Sequence, residues 1–109
     1  MPPLDYRSLA KIRGLAPHAQ RHARQLLQLH PLLQVSSGYR SVAHNRRVGG
    51  SVTSFHVRRR AVDIIGPLHD LQVAAQEAWK LRIGPDCTGP EEVLLEDSGE
   101  PGQHLHVAW

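Results

Sequence analysis

A single cysteine, Cys87, among 109 residues leaves no partner for an internal disulfide and no thiolate set for a structural zinc cluster. It lies in Pro85-Asp86-Cys87-Thr88-Gly89-Pro90, a loop by composition, with no paired base to make it a nucleophile, and is read as incidental. Aromatic residues are 5% of the chain, too few for a base-stacking surface. No apolar run approaches the roughly 20 residues of a membrane helix. The start, Met1-Pro2-Pro3-Leu4-Asp5-Tyr6-Arg7, lacks the basic and apolar regions of a signal peptide, so synthesis in the cytoplasm is expected. Internal repeats and low-complexity tails are also missing, and residues 1–109 read as one domain and as a monomer.

What is present is a basic balance, +3 at neutral pH with a pI near 9.6, which suits an anionic partner such as nucleic acid or bacterial wall polymer. Leu9, Ile12, Ala16, Ala19, Ala23 and Leu26 recur every three or four residues, the stripe of an amphipathic helix. Gly14 and Pro17 divide that stripe into a short helix near 5–13 and a longer one near 17–30, stopped by Pro31. Leu32 to Ser36 is a strand candidate, and residues 45–54, with Val48-Gly49-Gly50-Ser51, read as a loop. Ala61-Val62-Asp63-Ile64-Ile65 has the β-branched content of a buried strand ended by Gly66-Pro67. Leu68, Leu71, Ala75, Ala78 and Leu81 predict a helix to about Arg82. A loop at 85–90, a strand over 93–96 and another over 104–109 complete the chain. The fold class is α+β, with helices packed on a small antiparallel sheet.

Three residues stand out chemically. Asp63 sits within an apolar run, where an ionised carboxylate is costly unless paired or bound to metal. His56 precedes it by seven residues. His104 and His106 alternate with Leu105 and Val107, so in a strand both rings project from one face. Two imidazoles and a carboxylate are a usual ligand set for a catalytic zinc that keeps one position open. Taken singly, such a histidine pair is more often two surface residues, and such an aspartate is usually a turn or capping group.

The surrounding order is more specific. Ser36-Ser37-Gly38-Tyr39-Arg40-Ser41, then Asn45, Val48-Gly49-Gly50-Ser51, Ser54-Phe55-His56 and Ala61-Val62-Asp63-Ile64 follow one another, with His104-Leu105-His106 late in the chain. This resembles the zinc D-alanyl-D-alanine carboxypeptidase family, which includes dipeptidases, phage endolysins and the hedgehog-like fold. The likeness runs from about Val35 to Val107. It implies a zinc peptidase acting on the stem peptides of bacterial peptidoglycan, as a D,D-carboxypeptidase or an endolysin-type endopeptidase. Synthesis in the cytoplasm with action at the cell wall would then fit a phage or prophage lysin.

Residue by residue, the resemblance implies His56, Asp63 and His106 as zinc ligands and Arg40 as the cation that binds substrate and stabilises the oxyanion. Arg40 suits this through its fixed charge and planar donor fork. The resemblance places His104 beside the metal to move protons, work an imidazole can do near neutrality. Some relatives use a glutamate three residues before the last ligand. Here that residue is Gln103, which cannot accept a proton, and Glu96, Asp97 and Glu100 are the acidic groups left nearby.

Ser54 is read as loop support and Tyr39 as core or pocket wall, with Asn45, Gly49 and Gly50 architectural. Many relatives carry glycine three residues after the first ligand, where this chain has Arg59 within Arg58-Arg59-Arg60. A positive φ there would strain Arg59, or else the loop is built differently. The run is otherwise a solvated basic face, or a patch for wall polymer or a substrate carboxylate. His18 and His22 are four apart on a helix, but Ala19 replaces the glutamate of His-Glu-x-x-His, and both are read as surface residues. His30, His44 and His69 show no partner pattern. Two other functions fit less of the chain: a non-catalytic, zinc-binding hedgehog-like module, and a small basic nucleic-acid binder that rests on charge alone and has no recognised motif.

Overall fold

The computed structural model describes residues 6–39, 41–49, 56, 59–82 and 89–109. The expectations for Arg40, Gly50, Ser54, Arg58 and Cys87 therefore lie outside the described residues, as does most of the 85–90 loop. Helix α1 spans Tyr6–Ile12 and α2 Pro17–Leu29, separated at Gly14 as the sequence predicts. Pro17 opens α2, where its missing N–H costs nothing, and the helix buries Ala19, Ala23, Leu26 and Leu27 along one stripe. It ends where the His30 amide turns back to the Leu27 carbonyl, ahead of Pro31.

Strand β1 (Gln34–Ser37) leads into α3 (Val42–Arg47), then β2 (Ala61–Ile65), α4 (Leu68–Arg82), β3 (Glu92–Glu96) and β4 (His104–Ala108). The helix α3 is a correction, because its C-terminal half falls in the segment read as a loop. Six residues are too few for a helical period to show. The helix is fixed by its ends: the Asn45 amide donates to the Ser41 carbonyl, and Gly49 at φ 77° donates to Arg46. That left-handed turn favours glycine, so Gly49 terminates the helix rather than merely loosening a loop.

The sheet is antiparallel throughout in the order β1-β2-β4-β3, so the α+β expectation holds. Alternation divides its residues cleanly. Val35, Val62, Ile64, Leu105 and Val107 face a core shared with Ile12, Leu15, Leu26, Leu27, Leu71 and Trp109. Helix α1 packs against β1, and α4 lies across β3 and β4. β1 is an edge strand, yet its Val35 amide donates to Ser8 Oγ at 2.9 Å and its Val35 carbonyl accepts from Lys11 Nζ at 3.3 Å. These bonds from α1 satisfy an edge that would otherwise invite pairing.

The opposite face carries the intervening residues, including Asp63, His104, His106, Glu92, Leu94 and Glu96. A bulge between Val35 and Ser37 brings Ser37 opposite Asp63. Gly38, at the end of β1, lies so close to α1 that a Cβ there would sit 2.6 Å from the Lys11 carbonyl oxygen. Only glycine allows that approach.

Candidate metal centre

Asp63 and His106 are cross-strand partners on β2 and β4, so their side chains rise from the same face at adjacent positions. His106 Nδ1 lies 3.0 Å from Asp63 Oδ1. His56 enters from the turn that closes at Arg59, and its Nε2 lies 3.3 Å from Asp63 Oδ2. The aspartate thus turns one oxygen to each ring. The rings stand 5.3 Å apart, tilted by 58°. One donor atom from each of His56, Asp63 and His106 falls within 4.8 Å of the others.

The outer nitrogens fix the chemistry of the inner ones. His56 Nδ1–H donates to the Gly38 carbonyl at 2.9 Å, leaving the neutral ring's Nε2 as an acceptor. His106 Nε2–H donates to Glu92 Oε1 at 3.0 Å, leaving Nδ1 as an acceptor. Both acceptors face carboxylate oxygens, an arrangement that requires a proton or a metal cation between them. Two donors bound at about 2.0–2.1 Å with tetrahedral angles lie roughly 3.3 Å apart, so the spacing fits a zinc-sized ion. The donor set, the spacing and the hydrogen bonds behind both imidazoles therefore suit a metal.

Without a metal, protons take its place. Burial works to raise the Asp63 carboxyl, but the His106 and His56 imidazoles bonded to it outweigh that and hold it well below the usual carboxylate range. Burial likewise works to lower His106, and its bonds to Asp63 and Glu92 outweigh it, raising the ring above its ordinary value of 6.5.

The remaining sequence expectations divide. His104 shares the face of His106 but lies two residues away, about 7 Å along the strand. Its Nδ1–H donates to the Gly102 carbonyl at 2.9 Å and its Nε2 is 3.5 Å from Glu96 Oε1. It is near the three-residue cluster without joining it. Gln103 is a structural clip: its amide donates to the Gly66 carbonyl at 3.1 Å and its oxygen accepts from the Gly99 amide at 3.0 Å. Asp97 and Glu100 bend the β3–β4 turn.

Arg59 adopts φ 62°, the strained conformation expected of a non-glycine residue at that position. Its guanidinium lies 4.2 Å from the centre of the Tyr39 ring, and its carbonyl accepts from the Ala16 amide at 2.8 Å. Tyr39 is 42% exposed, so it is not core. Asn45 is buried, in keeping with an architectural role. His22 corrects the surface reading, since its ring stacks on Trp109 with centroids 5.8 Å apart. His30 also has a partner, Glu77 Oε2 at 2.7 Å.

Glu92 and the Gly38 carbonyl were missed as partners of the site. Starting β3 at Val93 left Glu92 outside the strand, and its alternation with Leu94 and Glu96 was the available signal.

A helix-backed antiparallel sheet that gathers two imidazoles and a carboxylate on its polar face defines a small α+β protein equipped to hold one transition-metal ion. The sequence matches the Peptidase M15 family over residues 14–94, and the chain belongs to that family. His56 and Asp63 fall inside the matched segment and His106 beyond it, and the geometry joins the third residue to the other two. Among solved structures, the chain resembles the Serratia marcescens L-Ala D-Glu endopeptidase ChiX, with 23% identity and a TM-score of 0.62, over 94% of this chain and 86% of that one. That likeness establishes the shared fold. No curated protein matches the chain significantly.

Proposed function

We propose that this chain is a zinc-dependent peptidase that hydrolyses peptide bonds in the stem peptides of bacterial peptidoglycan. One observation carries the reading: in a member of a peptidase family, His56 Nε2 and His106 Nδ1 converge on the two oxygens of Asp63. The fold likeness to an L-Ala D-Glu endopeptidase favours an internal bond of the stem over a terminal D-alanine.

When bound, zinc supplies Lewis acidity that activates water near neutral pH and polarises the scissile carbonyl. The protein's part is to hold and orient. The Gly38 carbonyl locks the His56 ring so that Nε2 faces inward. Asp63 spans both imidazoles and adds the negative charge that favours a dication. By the resemblance alone, Arg40, which lies outside the described residues, is the cation for the substrate carbonyl oxygen as charge develops there. In His104, the bond from Nδ1–H to Gly102 leaves Nε2 as the atom that takes up and returns a proton, with Glu96 Oε1 3.5 Å from it. The exposed Tyr39 ring and the Arg59 guanidinium form a wall near the first ligand.

Digestion of purified peptidoglycan, followed by mass spectrometry of the released muropeptides with and without a chelator, tests the reading. Fragments cut within the stem peptide, lost with chelator and restored by zinc, support it. Zinc binding with no fragments at all would instead favour a non-catalytic, hedgehog-like module.

A further inference from the structure

We infer that Glu92 is the positioning residue of the metal centre, the carboxylate that sets the tautomer and ring orientation of His106. The inference rests on the zinc-site reading above and extends it to a residue outside the ligand set. In the β3–β4 ladder Glu92 pairs with Ala108 and Leu94 pairs with His106. Glu92 is therefore the diagonal neighbour of His106 on the same sheet face, a separation of about 7–8 Å that a long side chain spans. The residue directly opposite is alanine, whose methyl group leaves the Glu92 side chain room to lean along the sheet. Its Oε1 reaches His106 Nε2 at 3.0 Å.

That contact has a specific consequence. An imidazole can carry its single proton on either nitrogen and can turn over about its Cβ–Cγ bond. A carboxylate accepting from Nε2–H removes both freedoms: the proton stays on Nε2, and the Nδ1 lone pair points at the position shared with Asp63 and His56. The negative charge also raises the basicity of the ring and hence its strength as a ligand. The two histidines are thus held by different means, His56 by a neutral backbone carbonyl and His106 by an anion. With Asp63, Glu92 brings two negative charges to a site suited to a dication.

The other acidic residues of this hairpin do not have this role. Glu96 faces His104, and Asp97 and Glu100 belong to the turn. Among the described residues, Glu92 is the acid behind a proposed ligand rather than within the ligand set.

The test is a zinc titration of metal-free protein against a competing chelator dye, with long-range proton–nitrogen NMR of the His106 ring. The zinc-loaded wild type is expected to carry the His106 proton on Nε2. Glu92→Ala is expected to weaken zinc affinity about ten- to a hundredfold. Glu92→Gln, whose amide oxygen still accepts from Nε2–H, is expected to recover most of that loss. Wild type with its proton on Nδ1, or Glu92→Ala binding zinc within twofold of wild type, overturns the inference and leaves the metal centre standing. Wild type that binds no zinc overturns the metal centre and this inference with it. Zinc on Nδ1 leaves the proton on Nε2 whatever stands behind it, so the variant affinities carry the test; if Glu92→Ala fails to fold, a wild-type His106 Nε2–H that exchanges with water as fast as a free imidazole's overturns the inference.

Discussion

The two faces of the sheet are made by alternate residues of the same strands and follow opposite rules. On one, Val62, Ile64, Leu105 and Val107 are fully buried against the helices. On the other, Asp63 and His106 occupy the intervening positions and are partly buried among polar groups. The first face gains stability from removing apolar surface from water. The second loses hydration and recovers it only through mutual pairing. A register slip of one residue would present valine and leucine to the metal and aspartate to the core. Stability of the apolar face therefore enforces the geometry of the polar one.

The largest effects should come from breaking one face while sparing the other. His106→Ala is expected to abolish zinc binding and peptidoglycan hydrolysis, while thermal unfolding of the metal-free protein moves by only a few degrees. Leu105→Ala, one residue earlier on the opposite face, is expected to cost about 2–5 kcal/mol in urea unfolding. Its remaining folded fraction should still bind zinc. Equal loss of stability in both variants would mean that the faces are not separable.

Acidity sharpens the same contrast, because it acts on the polar face alone. His106 is raised above 6.5, so its contribution to metal-free stability is complete below about that pH and is lost as pH climbs through the raised value. Asp63 is lowered from 3.8, so its contribution is complete above about that pH and is lost as pH falls toward the lowered value. Metal-free protein should be most stable between these limits, and zinc affinity should weaken on acidification as protons reclaim His106. Denaturation across about pH 2–9 checks both slopes, and zinc titration over the upper part of that range checks the affinity; a flat profile would remove the Asp63–His106 pair from the account.

The smallest effect concerns Arg59, at the end of the turn that begins with His56. Arg59→Ala keeps the left-handed backbone and loses the Tyr39 stack, whereas Arg59→Gly relieves the strain. Arg59→Gly is expected to be the more stable of the two by about 1 kcal/mol in urea unfolding. The reverse order would show that φ at this position carries no cost.

Much of this was legible because it depends on short periods. The α2 stripe, the bounds of β2 and the helix from Leu68 to Arg82 all follow from local apolar spacing and from Pro17 and Pro67. The three candidate ligands were named from the order of motifs, while their convergence depends on β2–β4 pairing across 43 residues, which local spacing does not encode. Helix α3 was hidden by its brevity. Glu92 was hidden because its meaning arises only from the β3–β4 register opposite Ala108. His104 shows the converse: alternation correctly placed it on the face of His106, but could not show that its ring turns to Gly102 and Glu96.

The central claim is that His56, Asp63 and His106 hold one metal ion, and the most direct measurement is the bound-metal stoichiometry of the purified, zinc-equilibrated protein by plasma mass spectrometry. The account predicts one zinc per wild-type chain and none in His56→Ala or His106→Ala. Wild-type protein free of zinc, or a His106→Ala variant that retains a full equivalent, would contradict it.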